Sequence, residues 1–163
     1  MLGNKMAYPS LPAVDIKRAR KFYEDKLGLK VMMEDPSPGM MLMAGEGSMI
    51  YVYQRGPTKA DHTVLEFKVD DLEAEMKDLR SKGVKFEEYD IPGLGIKTVN
   101  GMATMGSGMD MMKAAWFKDS EGNIIGLDQM SKAVMDKVKM MDQNMMEKTM
   151  MDMSMPQKAA MKK

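Results

Sequence analysis

The sequence contains no cysteine and only one histidine, His62, among its 163 residues. The absence of cysteine excludes disulfide bonds, thiolate metal sites and cysteine nucleophiles. Net charge is lacking too, because 24 basic residues balance 24 acidic ones, and a neutral chain gives no electrostatic reason to expect nucleic acid or a membrane surface as a partner. No stretch has the pattern of a signal peptide or a membrane span. We therefore expect a cytoplasmic protein with no nucleic acid and no membrane as partners.

One pattern of residues occurs twice along the chain. The first copy has Val14-Asp15-Ile16 and then Leu27-Gly28-Leu29-Lys30-Val31, and the second has Val69-Asp70-Asp71-Leu72 and then Lys82-Gly83-Val84-Lys85-Phe86. A repeat at this spacing is typical of a fold built from two copies of one unit.

Each copy predicts a strand, a helix and three further strands. The first strands are expected at 8–13 and 62–68, and a helix follows each, capped by Asp15 in one copy and by Asp70 or Asp71 in the other. Gly28 and Gly83 are suited to end these helices, because glycine adopts the left-handed conformation found there. The remaining strands are predicted at 29–34, 40–44 and 48–53, and at 84–89, 113–118 and 124–128.

Three separated runs carry a family resemblance. The runs 15–23 with 27–29, 69–72 and 116–125 resemble the glyoxalase, bleomycin-resistance and extradiol-dioxygenase superfamily, also called the vicinal oxygen chelate family. The resemblance covers about residues 5–129. It implies an α+β domain over 1–129 in which two βαβββ modules, at about 5–55 and 60–129, form a curled mixed sheet around a cavity. Members with one pair of modules are commonly dimers, so the resemblance also implies a homodimer.

The metal site of that family is predicted to be missing. Members that do chemistry usually hold a divalent metal at four positions, which map here to Tyr8, Tyr51, Val64 and Gly126. None of the four is a histidine, a glutamate or a glutamine, and valine and glycine side chains offer no lone pairs to a metal. We expect no metal and no cofactor.

The same cavity is predicted to present aromatic rings and hydroxyl groups instead. Such a lining stacks on flat or apolar ligands and orients them with a few hydrogen bonds, although tyrosines in strands are also ordinary packing residues. The expected function is metal-independent binding or sequestration of an apolar or aromatic small molecule, as in bleomycin-resistance proteins. The ligand-binding residues predicted from the resemblance are Tyr8, Ser10, Tyr51, Tyr53, Val64, Trp116 and Gly126.

A glyoxalase-like lyase or isomerase acting on a carbonyl compound is the alternative function. Its catalytic residues would be Glu66 as general base, His62 as polariser or unusual ligand, and Tyr51 as proton donor. His62 shares a strand face with Glu66 if Asp71 caps the second helix, and points the other way if Asp70 does. A histidine at a strand start without any chemical role is the simpler interpretation of His62.

Methionine is the most over-represented residue, with 25 copies. The glycine- and methionine-rich segment 91–112 is predicted to be a lid over the cavity, which unbranched thioethers would make adaptable. Residues 130–163 are predicted to be a methionine-rich extension that is helical over about 131–150. Thioethers suit Cu(I) and are reversibly oxidised, so Cu(I) binding through Met150, Met151, Met153 and Met155, or oxidant buffering, is a second alternative function. Methionines introduced at tolerant positions would equally produce this composition.

Overall fold

The first copy of the repeat forms a four-stranded sheet with one helix. The computed structural model describes residues 6–35, 38–106, 111–136 and 140. The elements of the first copy are β1 (Ser10–Ala13), α1 (Ile16–Lys21) with a π-helical turn (Phe22–Lys26), β2 (Lys30–Asp35), β3 (Gly39–Met43) and β4 (Met49–Gln54). The strand order is β1-β4-β3-β2, with β1 parallel to β4 and the other pairs antiparallel.

The second copy forms a six-stranded sheet with one helix. Its elements are β5 (Thr63–Lys68), α2 (Leu72–Ser81), β6 (Asp90–Ile91), β7 (Ile96–Val99), β8 (Met102–Met105), β9 (Met112–Lys118) and β10 (Ile124–Met130). The order is β5-β10-β9-β8-β7-β6, and β5 is parallel to β10 as β1 is to β4. The predicted α+β class with two related modules and mixed sheets is confirmed.

Both helices begin and end where the repeat predicts. Asp15 accepts hydrogen bonds from the backbone N–H groups of Lys17 and Arg18 at 2.9 and 3.0 Å. Asp71, not Asp70, accepts the corresponding bond from Ala74 at 3.0 Å, which settles the register of the second copy. Gly28 and Gly83 follow the helices with φ angles of 69° and 80°, a conformation that suits glycine.

One hydrophobic core joins the two modules. Alternate residues of each sheet face it, and both helices cover it, so that each sheet has an inner face toward this core and an outer face away from it. The large side chains that are fully buried are Tyr23, Phe117, Leu11, Met40, Leu42, Leu72, Ile125 and Val52.

Two predictions for the second module were wrong. Residues 84–89 form no strand: Phe86 makes an isolated bridge to Phe117, since β8 already pairs with β9 up to Ala115. The described residues 91–106 of the predicted lid instead contain β7 and β8, which extend the sheet as an antiparallel hairpin, and residues 107–110 lie outside the described ranges. The hairpin turns at Asn100 and Gly101, whose φ angles of 54° and 77° are those of the tight turn that Asn-Gly favours.

The structure describes little of the methionine-rich extension. Residues 132–136 are helical, and Ser131 Oγ accepts a hydrogen bond from the N–H of Val134 at 3.3 Å. The predicted Cu(I) ligands Met150, Met151, Met153 and Met155 lie outside the described residues. Within the described ranges, no helix is long and apolar enough to span a bilayer.

The turn at 119–123 joins the two modules. Glu121, whose side chain is 1% exposed, accepts hydrogen bonds from the N–H groups of Val14 and Asp15 at 2.8 and 3.1 Å and from the Arg18 guanidinium at 2.8 and 3.0 Å. Asn123 Nδ2 donates to the Pro12 carbonyl at 3.0 Å. The end of β1 and the start of α1 are thereby held against the second module.

Glu121 should make stability depend on pH in the acid range. Burial alone would raise the pKa of its carboxyl, but the hydrogen bonds from Arg18 and from the Asp15 N–H outweigh burial and leave the pKa below the usual 4.5. A depressed pKa stabilises the fold above the unfolded-state pKa, and this contribution disappears as pH falls through the folded-state value. Glu121→Gln should therefore melt at a lower temperature than the wild type at pH 7, and the gap should narrow below about pH 4.5.

The control for this prediction is Glu34→Gln, because Glu34 forms an ion pair with Arg20 but its side chain is 67% exposed. Surface pairs contribute little, so this variant should melt close to the wild type at pH 7. A gap between Glu121→Gln and the wild type that stays constant from pH 7 to pH 3 would contradict the prediction.

Candidate functional site

The outer face of the first sheet presents two stacked tyrosines. Ile50 and Val52 of β4 are buried in the core, so the alternating residues Tyr51 and Tyr53 lie on the outer face. Their rings are 6.1 Å apart and 10° from parallel. Ser10 of β1 pairs with Tyr51 in the sheet. This face therefore carries two parallel aromatic rings with hydroxyl groups.

A glycine lies under the phenol of Tyr51. A Cβ atom on Gly39 would be 2.7 Å from Tyr51 Oη and 3.1 Å from Cζ. The ring thus lies flat across the backbone of β3, and any larger residue in place of Gly39 would lift it.

The outer face of the second sheet brings Glu66, Gly126 and Trp116 into one row. Glu66 of β5 and Trp116 of β9 are the two sheet partners of Gly126 on β10. A Cβ atom on Gly126 would be 2.9 Å from Glu66 Cγ, 3.0 Å from Glu66 Oε1 and 3.3 Å from Trp116 Nε1. The carboxylate and the indole N–H therefore approach the same point above the glycine.

Trp116 belongs to a second, smaller hydrophobic cluster. It is 8% exposed and packs with Ala103, Ala114 and Ile124, while Phe117 lies in the main core. The ring of Tyr89 meets Trp116 edge to face, with centroids 5.6 Å apart. The structure thus assigns Trp116, not Phe117, to the outer face, a choice that the sequence left open.

The lysines near Glu66, Gly126 and Trp116 lie beside other carboxylates and not beside Glu66. Lys118 Nζ forms an ion pair with Glu87 at 3.2 Å. Lys68 is the sheet partner of Asp128, and it opposes the effect of burial, which raises the pKa of the Asp128 carboxyl. Among the described residues, no hydrogen bond or ion pair reaches Glu66. Tyr89 and Asp128 were not predicted as site residues, since the contact of Tyr89 with Trp116 is a tertiary one and the burial of Asp128 is not visible in the sequence.

His62 and Val64 do not extend the row. His62 precedes β5, its imidazole is 73% exposed, and Nδ1 lies 3.6 Å from Asp61. Thr63 and Leu65 pair with the consecutive residues 124 and 125, so Val64 is the extra residue of a bulge, and it packs against the main core. The bulge interrupts the alternation that the sequence used to place His62 and Val64 on the face of Glu66.

The candidate residues differ in exposure: Tyr51 and Tyr53 are half-buried and Glu66 is exposed, whereas Trp116 and Gly126 are buried. Tyr8 precedes β1 and is 45% exposed. Cavities of about 720, 590, 830 and 260 Å³ are formed by described residues, and none of these four is lined by Tyr51, Tyr53, Glu66 or Trp116. In the part of the chain that the structure describes, the two sheets are separate and uncurled, unlike the single curled sheet that the resemblance implies.

The donor set does not fit the metal that the fold family implies. Of the four mapped positions, Gly126 has no side chain, Val64 packs on the core, and Tyr8 and Tyr51 supply only phenol oxygens. Among the described residues, no three histidine, aspartate or glutamate side chains are grouped so that they would hold a metal ion. Divalent metals in proteins are bound by imidazole, carboxylate or thiolate groups, which this set lacks.

The chain belongs to the Glyoxalase/Bleomycin resistance protein/Dioxygenase superfamily, whose sequence model matches residues 5–127. The resemblance seen in the sequence is thereby confirmed. No curated protein shows significant sequence similarity to the chain.

Solved structures share the fold at low sequence identity. TnmS3, an antibiotic binding protein from Streptomyces sp. CB03234, is 20% identical with a TM-score of 0.55, and the match covers 78% of this chain and 98% of that one. A glyoxalase/bleomycin resistance protein/dioxygenase from Alicyclobacillus acidocaldarius is 16% identical with a TM-score of 0.56, covering 78% and 92%. The fosfomycin resistance protein FosX from Listeria monocytogenes, complexed with Mn(II) and sulfate, is 10% identical with a TM-score of 0.57, covering 79% and 92%.

Proposed function

We propose that this protein binds an apolar or aromatic small molecule without a metal ion. The observation that carries the proposal is the pair of outer faces, one with the stacked rings of Tyr51 and Tyr53 and one with Glu66 and Trp116 above Gly126. Aromatic surface with a few polar groups is the usual lining of small-molecule sites. The superfamily includes an antibiotic binding protein of similar fold, which is consistent with such a role.

The proposed ligand is held between two chains. Tyr51, Tyr53 and Glu66 are at least partly exposed in the single chain, and a homodimer in which the first sheet of one protomer covers the second sheet of its partner would enclose a ligand between them. Enclosure matters because small molecules bind tightly when most of their surface is buried. We therefore expect sedimentation velocity measurements to show a dimer in solution. The proposed location of this dimer is the cytoplasm.

The lyase or isomerase alternative has less support. It requires Glu66, His62 and Tyr51 to act on one substrate, but Tyr51 lies on β4 of the first sheet and Glu66 on β5 of the second. The imidazole of His62 is exposed and lies beside Asp61. No contact among the described residues favours this chemistry.

A thermal-shift screen tests the binding proposal. Flat aromatic antibiotics and heterocycles, added with EDTA present, should include at least one ligand that raises the melting temperature, because ligand at about 100 times Kd stabilises the folded state by about 2.7 kcal/mol. Gly126→Ala should reduce the shift given by that ligand by at least half, since the new methyl group displaces Glu66 from beside Trp116.

Gly56→Ala is the matched control. Nothing lies within 4 Å of a Cβ at Gly56, so this variant should respond to the ligand as the wild type does. A shift that disappears with EDTA would overturn the claim of metal independence. A ligand that stabilises Gly126→Ala and the wild type equally would place its site elsewhere on the protein.

A further inference from the structure

Three methionines form a row across the second sheet, apart from the site described above. Met105 of β8 pairs with Met112 of β9, and Met112 pairs with Met130 of β10. Residues paired across strands project on the same side of a sheet. Met112 and Met130 are each an even number of residues from Trp116 and Gly126, so the row lies on the outer face.

The row lines a cavity of about 260 Å³, whose lining is Met105, Gly106, Met111, Met112, Met130 and Val134. The start of the C-terminal extension closes one side, because the N–H of Ser131 donates to the Met111 carbonyl at 3.2 Å. Met111 is 41% exposed, and the three methionines of the row are half-buried. Among the described residues that form this lining, the thioether sulfurs are the only side-chain heteroatoms, and the more exposed Met111 lies at the entrance.

The spacing allows the three sulfurs to meet. Neighbouring strands are about 4.8 Å apart, and a methionine side chain has three rotatable bonds that let it reach toward the strand beside it. Met105 and Met130 flank Met112 on either side, so both can bring their sulfurs above it. Met112 is four residues from Trp116 along β9, roughly 13 Å, while Met105 packs against the cluster that contains Trp116, so the cavity adjoins the proposed ligand site without sharing its residues.

A negative group lies beside the row. Asp128 precedes Met130 by two residues and lies on the same face of β10. Its sheet partner is Ala114, which follows Met112 by two residues on β9. The Asp128 Oδ2 atom is buried and has no hydrogen-bond partner in the part of the chain that is described. Lys68 lies on the far side of Asp128, as its sheet partner on β5. Asp128 is not among the residues that line the cavity, but its buried carboxylate oxygen, roughly 7 Å from the thioethers along β10, favours a cation over an uncharged occupant.

We propose that Met105, Met112 and Met130 bind one Cu(I) ion in this cavity. Thioether sulfur is a soft ligand that selects Cu(I) over the harder divalent ions. Asp128 supplies the counter-charge without coordinating the metal. The site differs from the methionine cluster of the tail, and it requires neither His62 nor any thiolate.

The test is a Cu(I) titration of the full chain under anaerobic conditions with ascorbate, in competition with a chromophoric Cu(I) chelator. The variant Met105→Leu/Met112→Leu/Met130→Leu removes the sulfurs at nearly constant volume, a change that cores tolerate well. The wild type should retain one equivalent of Cu(I) more than this variant. Asp128→Asn should raise the dissociation constant of that Cu(I) ion about tenfold. Met112→Leu alone, which removes the central sulfur, serves if the triple variant fails to fold.

Met32→Leu/Met33→Leu is the control, because these methionines of β2 are 56% and 60% exposed and lie on the other sheet. It should bind Cu(I) as the wild type does. Equal Cu(I) binding by the wild type and the triple variant, whether at several equivalents or at none, would overturn the proposal, since the metal would then bind elsewhere or not at all.

Discussion

Replacing Asp119 with alanine is expected to lower the free energy of unfolding by about 3 kcal/mol or more. Asp119 is 7% exposed, and its carboxylate accepts four hydrogen bonds at the junction of the modules. Oδ2 accepts from Tyr23 Oη and Asn123 Nδ2, both at 2.7 Å, and Oδ1 accepts from the N–H groups of Glu121 and Asn123, both at 2.8 Å. The substitution would leave all four donors without this acceptor.

The hydroxyl of Tyr23 cannot adapt to the loss by giving up its proton. Burial is the main cause of the raised pKa of Tyr23, and because burial persists when Asp119 is replaced, this hydroxyl stays a neutral donor. Its side chain is fully buried within the main core. A buried donor without an acceptor keeps its full desolvation cost, which is why removing the acceptor should be more damaging than removing the donor.

Thermal and urea unfolding would measure the effect. For a chain of this size, about 3 kcal/mol corresponds to a melting temperature lower by roughly 10 °C. Tyr23→Phe removes one hydrogen bond but leaves no orphaned donor, so it should cost about 1 kcal/mol. If both variants lost the same amount, the contacts of Asp119 with the turn at 119–123 would be irrelevant to stability, contrary to this expectation.

The local order of elements was predictable from sequence, but the role of the 119–123 turn was not. The caps at Asp15 and Asp71 and the glycines after each helix are signals that act within one turn of helix, so the sequence pattern contains them. The partners of Glu121 lie more than 100 residues away along the chain. Nothing in a single sequence relates a turn to partners at that distance.

The same limit applied to the site. Alternation along β4 was enough to place Tyr51 and Tyr53 on one face, because a strand has a period of two. The meeting of Glu66 with Trp116 above Gly126 depends on the pairing of three strands, and the bulge at Val64 shifts the register by one residue within β5. A one-residue shift exchanges the two faces of a strand, which is why the positions of His62 and Val64 were not predictable.

The hairpin of β7 and β8, unlike the site, has a strong local signal in the sequence. The composition of the segment 91–112 nevertheless predicted a lid. Asn100-Gly101 lies between residues 96–99 and 102–105, and Asn-Gly between apolar runs is among the clearest hairpin signals in a sequence. The methionines and glycines around it gave the segment the composition of a flexible loop. The turn preference of Asn100-Gly101 therefore determines the local structure more than the composition of the surrounding segment does.

Gly101→Ala should therefore be strongly destabilising, at about 3 kcal/mol. Gly101 has a φ of 77°, which costs a residue with a Cβ about 1–2 kcal/mol. The added methyl group would also lie 2.7 Å from Phe86 Cβ and 3.2 Å from Arg80 Nη2. Phe86 Cβ is fixed to the backbone, so relief of the clash requires the 84–89 segment to move away from β9.

Gly95→Ala separates the two causes of that loss. Gly95 has a φ of 64°, but nothing lies within 4 Å of the position of its Cβ, so this variant carries only the backbone cost of about 1–2 kcal/mol. Urea unfolding of both variants would measure the difference. A larger loss for Gly101→Ala means that the hairpin turn is packed against Phe86 and anchors the outer half of the second sheet. Equal losses would mean that the 84–89 segment yields freely, and that the turn is held by its backbone conformation alone.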